Sequence, residues 1–541
     1  MATSPQSTPT ATAAPLEQYD AVIIGAGVTG LYELHRLRQL GISVRLFDDG
    51  SGVGGTWYWN RYPGARFDSE SYTYGYSFSE ELLQEWDWKE HFSGQPENER
   101  YLNYVADKFD LRRDIQLNSR VASAIYNEDD NRWDVKFEDG RHVRTQFLVA
   151  AVGILSAHFL PEIPGFETFK GTRFHTGRWP KEKVDFTGKR VAVIGTGATA
   201  VQLITEIAKE CGQLTVFQRT PNYCSPLRNS EIDAETQAKI KASYPEIFKK
   251  CNETTAAFIH DFDPRSVFEV SEEERLAMFE KLWAEPGFGK WLGNFRDIMT
   301  DPKANEIYAE FVRNKIRARI NDPAVAKLLV PTDYPFGAKR VPLESGYYEQ
   351  FNRPNVKLVS IKETPIERFT PKGIKTSDAE YEFDIIILAT GFDAVTGSLT
   401  RIDIRGEGGQ SLKEKWADGP RSYLGLLTAG FPNFFIANAA SFCNIPRCSE
   451  MVVEWISDTI GYVHKNGYER IAPTVESEDA WVDHSNSLVE DSFIMKGNSW
   501  FVGANIPGKK RAFLLYANSA PNYRLKLAEV AANGYEGFIL E

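Results

Sequence analysis

The chain has 541 residues, of which 42% are hydrophobic and 25% are charged. This composition is that of a globular protein, and the length suffices for about three domains with their own cores. The formal net charge is −12, and no run of basic residues interrupts that excess. The charge argues against nucleic acid or an anionic membrane as the main partner. No stretch reaches the ~20 apolar residues of a membrane span.

The N-terminal residues 1–18 are rich in Ser, Thr, Pro and Ala, which predicts a disordered tail. They lack the apolar stretch of a signal peptide and the arginines of a transit peptide, so we expect a cytoplasmic protein. The five cysteines are scattered, which predicts reduced thiols in that compartment. The eight histidines have no metal-ligand spacing, so we expect no metal site.

A dinucleotide fingerprint follows an apolar run at 19–24 that is typical of a buried strand. Its glycines are Gly25, Gly27 and Gly30. They permit a tight turn and a close approach of the backbone to a pyrophosphate, at the start of a helix predicted at 31–40. The next strand, 43–47, ends at Asp48, where an acid binds ribose hydroxyls and disfavours a 2′-phosphate. This half favours FAD or NAD; the alternative is a glycine turn without a ligand.

The chain after Asp48 contains a polar, aromatic stretch at 54–68 that includes Thr56 and Trp57. Its composition predicts a loop at the face of the cofactor and not a core segment. Alternating residues within 122–143, with a turn at 138–140, predict a β-meander. An apolar run at 147–153 that ends in glycine predicts the buried strand that closes this first half.

A second fingerprint follows a strand predicted at 190–194. Its small residues are Gly195, Gly197 and Ala200. Alanine is an allowed variant in the third place. The next strand, 214–217, leads without an acid to Arg219 and Thr220. A guanidinium can bind a 2′-phosphate through two N–H groups, so this half favours NADPH, the alternative being a solvated surface charge.

The stretch 225–332 is charged and has helical periodicity, which predicts a helical insertion. An apolar strand at 383–389 ends in a glycine turn, and we expect it to rejoin the first sheet. The fold class is therefore α/β, with two Rossmann-like dinucleotide-binding domains. The predicted divisions are 19–150 with 384–541 for FAD, 186–224 with 333–383 for NADPH, and 151–185 for the linker.

The linker contains the pattern Phe-x-Gly-x-x-x-His-x-x-x-Trp-Pro. Its fixed residues are Phe169, Gly171, His175, Trp179 and Pro180. With this pattern the chain resembles the Baeyer–Villiger monooxygenases, and within them the cyclohexanone and phenylacetone monooxygenase group. Further stretches that look like the family lie at 54–66, 334–340, 389–393 and 499–508, so the resemblance spans residues 19 to 541.

The resemblance implies that NADPH reduces FAD and that reduced FAD adds O₂ to give a C4a-peroxyflavin. The peroxide then attacks a ketone, and carbon migration gives an ester or lactone. The negative charge that moves in this step needs a fixed positive charge nearby. Arg340 matches the family's catalytic arginine, and Asp68 matches the acid that positions it. A structural ion pair is the alternative interpretation.

Other family positions concern the coenzyme. Lys339, like Arg219 and Thr220, matches a position around the 2′-phosphate of NADPH. Trp500 matches a loop residue on the nicotinamide side, and His175 matches a residue that serves domain motion more than chemistry. The alternatives are a core tryptophan for Trp500 and a hydrogen-bonded core histidine for His175.

The stretch 436–444 departs from the family, although the corresponding loop borders the substrate pocket there. We therefore expect Ser441, Phe442 and Cys443 to influence which ketones fit. The expected partners are a ketone and O₂, and the expected state is a monomer. The ketone itself is not determined by the sequence.

Two other enzyme classes remain possible from the motifs. A flavin monooxygenase that oxygenates nitrogen or sulfur shares both fingerprints, but its signature usually lacks the Trp179–Pro180 pair. A pyridine-nucleotide disulfide reductase would use the Cys-x₄-Cys spacing of Cys443 and Cys448. That pair comes late in the chain, which favours two ordinary loop cysteines. A nucleotide sensor without activity is a third possibility.

Overall fold

The computed structural model describes residues 16–438 and 443–541, and two sheets organise this part of the chain. The first sheet has its central strands covered on both faces, and Ala21, Val22 and Ile23 are fully buried. From edge to edge its strands are Asp403–Arg405, Val121–Asn127, Arg132–Phe137, His142–Ala150, Glu17–Ile24, Val44–Phe47 and Ile115–Gln116. Phe434–Ile436 pairs in parallel with the end of His142–Ala150.

The first sheet confirms the predicted meander. Val121–Asn127, Arg132–Phe137 and His142–Ala150 pair in antiparallel order. Glu17–Ile24 lies parallel to both His142–Ala150 and Val44–Phe47. Glu17–Ile24 begins inside the predicted tail 1–18, and residues 1–15 of that tail lie outside the described residues.

The second sheet is parallel throughout the described chain. In spatial order its strands are Val356–Ser360, Gln213–Gln218, Arg190–Ile194, Ile385–Leu388 and Thr172–His175. The expectation that 383–389 rejoins the first sheet is wrong, because Ile385–Leu388 pairs with Arg190–Ile194. An interior parallel strand is apolar on both faces in either sheet, so its composition does not tell which sheet it joins.

The helices flank these sheets. They span Val28–Gln39, Thr56–Trp59, Ser71–Tyr74, Glu80–Glu85, Gln95–Lys108, Ala198–Ile207, Ala234–Ala242, Tyr244–Glu253, Glu272–Ala284, Gly289–Leu292, Pro302–Arg317, Pro323–Leu329, Tyr347–Gln350, Gly397–Thr400, Leu412–Lys415, Ile445–Lys465, Val475–Ser487 and Ala520–Ala532. We call the first sheet with helix Val28–Gln39 the first unit, and the second sheet with helix Ala198–Ile207 the second unit. The predicted fold class is confirmed.

The helices within 225–332 begin at residues that favour helix starts. The side chains of Asp233, Ser271, Asp301 and Asp322 each accept a backbone N–H of the first turn. Buried side chains of the three helices that begin after Ser271, Asp301 and Asp322 share one apolar core with helix Ala198–Ile207. Ile240 of helix Ala234–Ala242 lies instead in a separate small cluster with Leu83. The part of the segment after Ser271 therefore packs onto the second unit.

The chain passes between the sheets twice, and the two passages lie side by side. Phe159 N donates to Gly391 O at 2.9 Å, and Asp393 N donates to Ala157 O at 2.8 Å. Thr390 Oγ1 also donates to Phe159 O at 2.6 Å. In residues 16–438 and 443–541, no helix is long and apolar enough to cross a membrane.

Candidate active site

The first fingerprint forms a turn that only glycine fits. Gly25 has φ +111°, and a Cβ there would lie 2.4 Å from Ala151 O at the end of the neighbouring strand. A Cβ on Gly30 would lie 1.8 Å from Gly25 O. Gly27 precedes helix Val28–Gln39, whose first turn contains no acid. The free N–H groups of this helix start therefore suit an anion such as pyrophosphate.

The second fingerprint repeats this geometry. Gly195 has φ +110°, and a Cβ there would lie 2.4 Å from Ala389 O. Gly197 precedes helix Ala198–Ile207, which also begins without an acid. Ala200 is fully buried in that helix, so the third small residue is used for close packing. Both turns have the form that a dinucleotide needs.

Asp48 lies at the end of strand Val44–Phe47 and is buried. Its Oδ2 accepts Ala26 N at 2.7 Å, and its Oδ1 accepts Gly50 N at 2.7 Å. Burial raises the pKa of Asp48 to about 6, although the two backbone N–H groups act in the opposite direction. The carboxylate thus closes the fingerprint turn from the side, at the position from which a ribose would be bound.

One cavity of about 340 Å³ joins the residues that the sequence assigns to FAD. The predicted residues that line it are Gly25, Gly27, Asp48, Thr56 and Trp57. Gly30 lies behind the turn and supports it. A Cβ on Gly55 would lie 2.8 Å from the Cα of Gly27, so the two glycine loops can approach each other only without side chains. This cradle fits a flat dinucleotide cofactor.

The sequence reasoning missed cationic side chains at the same cavity. Arg120, Arg178 and Arg401 line it. Arg178 Nη2 lies 3.1 Å from Asp49 Oδ2, and its guanidinium lies 3.7 Å from the ring centroid of Trp59. Arg178 stands inside the signature pattern and could have been found there, whereas Arg401 has no local signal.

The second unit brings Lys339 close to Arg219. Lys339 is half-buried, and its Nζ lies 4.3 Å from the ring centroid of Tyr334. Burial and the charge of Arg219 lower the pKa of Lys339 to about 8, and Asp333 offsets part of this. Thr220 is beside them, with its carbonyl accepting Thr196 Oγ1 at 3.0 Å. Two neighbouring cations that repel each other fit a site for a phosphate dianion.

Arg340 and Asp68 form an ion pair across 272 residues of sequence. Arg340 Nη1 lies 2.5 Å from Asp68 Oδ2, and Leu343 N donates to the same oxygen at 3.1 Å. The Asp68 side chain is 1% exposed, whereas that of Arg340 is 27% exposed. The guanidinium lies 5.4 Å from the ring centroid of Phe288. Arg340 is thus held by a buried carboxylate and still reaches open space.

Trp500 lies on a short turn beside the segment that carries Lys339 and Arg340. It is half-buried, with its ring centroid 4.4 Å from that of Phe501. A Cβ on Gly497 would lie 2.2 Å from Ala338 O, so the two segments are in close contact. Trp500 packs against the main apolar core with part of its ring exposed, and its contact with the nicotinamide stays a prediction.

The signature pattern packs around the second sheet. Phe169 and Trp179 are buried in two different apolar clusters. A Cβ on Gly171 would lie 2.5 Å from Asp384 O, so glycine permits the close approach of the two strands. Pro180 follows and is half-buried.

His175 lies at the side-by-side passages between the sheets. Its Nδ1 accepts Gly177 N at 3.0 Å, and its Nε2 lies 3.4 Å from Thr390 Oγ1. Burial and the neighbouring His158 lower the pKa of His175 to about 4. The ring is therefore neutral at pH 7 and links the two passages.

The cysteines correct one expectation. Cys443 and Cys448 form a disulfide, whereas reduced thiols were predicted. The prediction rested on the expected intracellular compartment and on the number of cysteines. The start of helix Ile445–Lys465 nevertheless brings the Cα atoms of Cys443 and Cys448 to within 6.5 Å of each other. Ser441 and Phe442, the other predicted pocket residues, lie outside the described residues.

Comparison with known proteins agrees with this geometry. Residues 19–227 match the family model described as flavin-binding monooxygenase-like. The chain is 46% identical over 534 residues to 2-oxo-Δ3-4,5,5-trimethylcyclopentenylacetyl-CoA monooxygenase of Pseudomonas putida, covering 96% of this chain and 98% of that protein. It is 46% identical over 527 residues to the methyl acetate-forming acetone monooxygenase of Gordonia sp. strain TY-5, covering 96% and 99%.

A solved structure gives the same result. The crystal structure of cyclohexanone monooxygenase from Rhodococcus sp. Phi1 bound to NADP⁺ superposes with a TM-score of 0.95 at 45% identity, covering 97% of this chain and 99% of that one. The likeness thus extends over both units. The resemblance found in the sequence is confirmed, and the chain belongs to the Baeyer–Villiger flavin monooxygenases.

Proposed function

We propose that Arg340 and Asp68 are the residues that promote oxygen insertion, the step in which this Baeyer–Villiger monooxygenase converts ketones into esters or lactones. The observation that supports this is the ion pair itself, with Arg340 Nη1 2.5 Å from Asp68 Oδ2. Asp68 follows the aromatic loop of the first unit, and Arg340 follows the segment that carries Lys339 of the second unit. The pair therefore lies where the two units meet.

The first unit is the one we assign to FAD. Its helix start at Gly27 would hold the pyrophosphate, and Asp48 would hold the ribose. Thr56 and Trp57 line the same cavity and would contact the flavin portion. When bound, FAD that has been reduced by NADPH supplies the activation of O₂.

The second unit is the one we assign to NADPH. Arg219, Thr220 and Lys339 would surround the 2′-phosphate, because two cations of one site are stabilised by a shared dianion. Trp500 would cover the coenzyme from the turn that contacts Ala338. The half-burial of Lys339 keeps water partly away from this contact and strengthens it.

The charge of Arg340 explains its proposed role. A guanidinium stays protonated at all working pH values, so it supplies positive charge without acting as an acid. Negative charge develops on the ketone oxygen during attack, and a preorganised donor stabilises it. Asp68 fixes one guanidinium nitrogen and leaves the other N–H groups to face the substrate. Asp68 is thus a positioning residue.

The substrate class is a ketone, and which ketones this protein accepts is a matter for the proposal that follows. The relatives are named for acetone and for a bulky cyclopentenone thioester, so ketones of very different size are accepted within this family. We infer that the segment after Asn438, with Cys443 at its end, contributes to the choice among them.

A substrate panel tests this function. The purified protein is incubated with FAD, NADPH and acetone, cyclopentanone, cyclohexanone or phenylacetone, with a sulfide and a tertiary amine as rivals. We expect at least one ketone to give an ester or lactone in proportion to the NADPH consumed, as measured by gas chromatography. Products only from the sulfide or amine would contradict ketone oxygenation.

An Asp68→Asn variant tests the assignment of the pair. Its amide keeps the shape and removes the charge, so ester formation should fall by at least tenfold. NADPH consumption should fall less, because hydride transfer does not require this carboxylate. A variant that loses NADPH consumption first would contradict the role.

A further inference from the structure

A second buried carboxylate lies two residues after Asp68 and is not used by the function described so far. Glu70 is 3% exposed, and its Oε1 lies 2.8 Å from His260 Nε2. Its Oε2 is buried without a hydrogen-bond partner within residues 16–438 and 443–541. A buried and incompletely satisfied carboxylate is costly, so its retention calls for an explanation.

The Glu70–His260 pair packs closely against the backbone of the short loop at Gly287. Gly287 has φ +72°, and a Cβ there would lie 2.4 Å from Glu70 Oε1 and 3.1 Å from His260 Nε2. Only glycine allows this approach. Lys290 is fully buried just after it and donates to the carbonyls of Glu285 and Gly287. Lys290 thus holds the loop by hydrogen bonds on one side, and the Glu70–His260 pair packs closely against it on the other.

The residue held in this loop is Phe288, which forms one wall for Arg340. Phe288 is 5% exposed, and its ring centroid lies 5.4 Å from the Arg340 guanidinium carbon. Phe258 and Trp291 pack edge-on against the same ring, at 5.3 and 6.0 Å between centroids. A fixed aromatic face attracts a guanidinium and limits its orientation.

We propose that Glu70, together with His260, is a positioning residue that fixes Phe288 and thereby the orientation of Arg340. Asp68 holds the guanidinium by charge, and Glu70 holds the ring that the guanidinium rests against. Both carboxylates belong to one short segment before helix Ser71–Tyr74. The inference rests on the proposed catalytic role of Arg340.

This positioning matters because the Arg340 guanidinium must be placed precisely relative to the reacting atoms. A reacting group that is displaced by about 1 Å can lose about 10²-fold in rate. Loosening Phe288 should therefore reduce ester formation, while hydride transfer between the two nucleotides continues. The expected signature is uncoupling, in which NADPH is consumed and hydrogen peroxide is released without ester.

Glu70→Gln is the main variant, with His260→Gln and Phe288→Leu beside it. We expect each to lower the ester formed per NADPH by about fivefold to tenfold and to leave the KM for NADPH within about twofold. The double variant Glu70→Gln with Phe288→Leu should lose no more than the worse single variant, because both act through one contact.

The matched control is Glu478→Gln. Glu478 is also a buried carboxylate, with Lys415 at 2.8 Å, and it lies in helix Val475–Ser487. This control should keep wild-type coupling even if its melting temperature falls. Equal uncoupling in Glu478→Gln and Glu70→Gln would show a general effect of stability and overturn the proposal.

Arg340→Ala separates this inference from the proposed function. If Arg340→Ala is uncoupled and Glu70→Gln couples normally, the positioning role of Glu70 is wrong and the role of Arg340 stands. If Arg340→Ala itself forms ester normally, the proposed function of Arg340 fails first. If both are uncoupled and the control is not, the inference is supported.

Discussion

The two nucleotide units share one backbone turn and differ at the end of the next strand. Gly25 N donates to Phe47 O at 2.8 Å, and Gly195 N donates to Phe217 O at 3.0 Å, so the two turns are equivalent. The following residue is Asp48 in the first unit. In the second unit it is Gln218, whose Nε2 donates to Leu328 O at 2.7 Å. We expect the turn to form each dinucleotide site and the residues after the strand to select the dinucleotide.

The two units also differ in charge at the second residue after the strand. Asp49 of the first unit corresponds to Arg219 of the second, which lies beside Lys339. An acid beside the ribose disfavours a 2′-phosphate, and a pair of cations favours it. We therefore expect coenzyme selectivity to depend on a few side chains, which single substitutions can exchange or remove.

Changing Arg340, which lies where the two units meet, should have the largest effect on ester formation. Arg340→Ala removes the fixed charge and should lower ester formation by about 10²–10³-fold or more, since one preorganised donor is worth about that much. NADPH consumption should continue at a measurable rate. Product analysis by gas chromatography beside NADPH absorbance checks this. Arg340→Lys should recover little, because an ammonium lacks the forked geometry, and full recovery would contradict the assignment.

The selectivity of the second unit should change next. Arg219→Ala should raise the KM for NADPH by about tenfold to a hundredfold, because a charge-assisted contact is worth about 1.5–3 kcal/mol. The KM for NADH should stay within about twofold. Initial rates with both coenzymes measure this, with the partly exposed Arg317→Ala as the control. An equal loss with NADH would place Arg219 away from the 2′-phosphate.

The pH dependence of NADPH binding should be smaller. The pKa of Lys339 is lowered to about 8, so the side chain is charged below that pH and neutral above it. The KM for NADPH should therefore rise by up to about tenfold between pH 7.5 and 9, since one pKa unit is worth about 1.4 kcal/mol. Lys339→Met should remove this rise, and NADH should not show it. A parallel rise with NADH would point to a different group.

The smallest effect concerns the helix that follows each turn. Helix Val28–Gln39 buries Glu33, whose Oε1 accepts Ser457 Oγ at 3.1 Å, whereas helix Ala198–Ile207 buries apolar side chains and Thr205. Burial raises the pKa of Glu33 to about 8. The folded state thus keeps a proton that the unfolded chain releases. This contribution to stability is present below pH 4.5 and is lost as the pH rises through 8.

Glu33→Gln should therefore match the wild-type melting temperature near pH 5 and exceed it by about 1–3 °C near pH 8.5. Differential scanning fluorimetry across this range measures the difference. The exposed Glu476→Gln should show no such trend. A difference that does not change with pH would mean that Glu33 stays ionised in the folded protein.

Local patterns predicted the parts of the fold that depend on local geometry. The sequence predicted both fingerprints, the meander and the candidate pair Arg340–Asp68. Glycine turns, alternating hydrophobic residues and family motifs can each be recognised within a short stretch of sequence. The sheet of strand Ile385–Leu388 could not, because burial on both faces looks the same in either unit. Arg401 at the first cavity and the Glu70–His260 contact also could not, because they join distant residues without a pattern.

The side-by-side passages between the sheets have a consequence for how such a protein is assembled. The chain leaves the first unit near Ala157 and returns near Asp393, and these residues share a hydrogen bond of 2.8 Å. A unit whose two ends meet can be inserted into a host, exchanged or lost without displacing the host's own ends. The second unit thus has the anatomy of a guest domain, and chimaeras that exchange it between relatives should join at these two points.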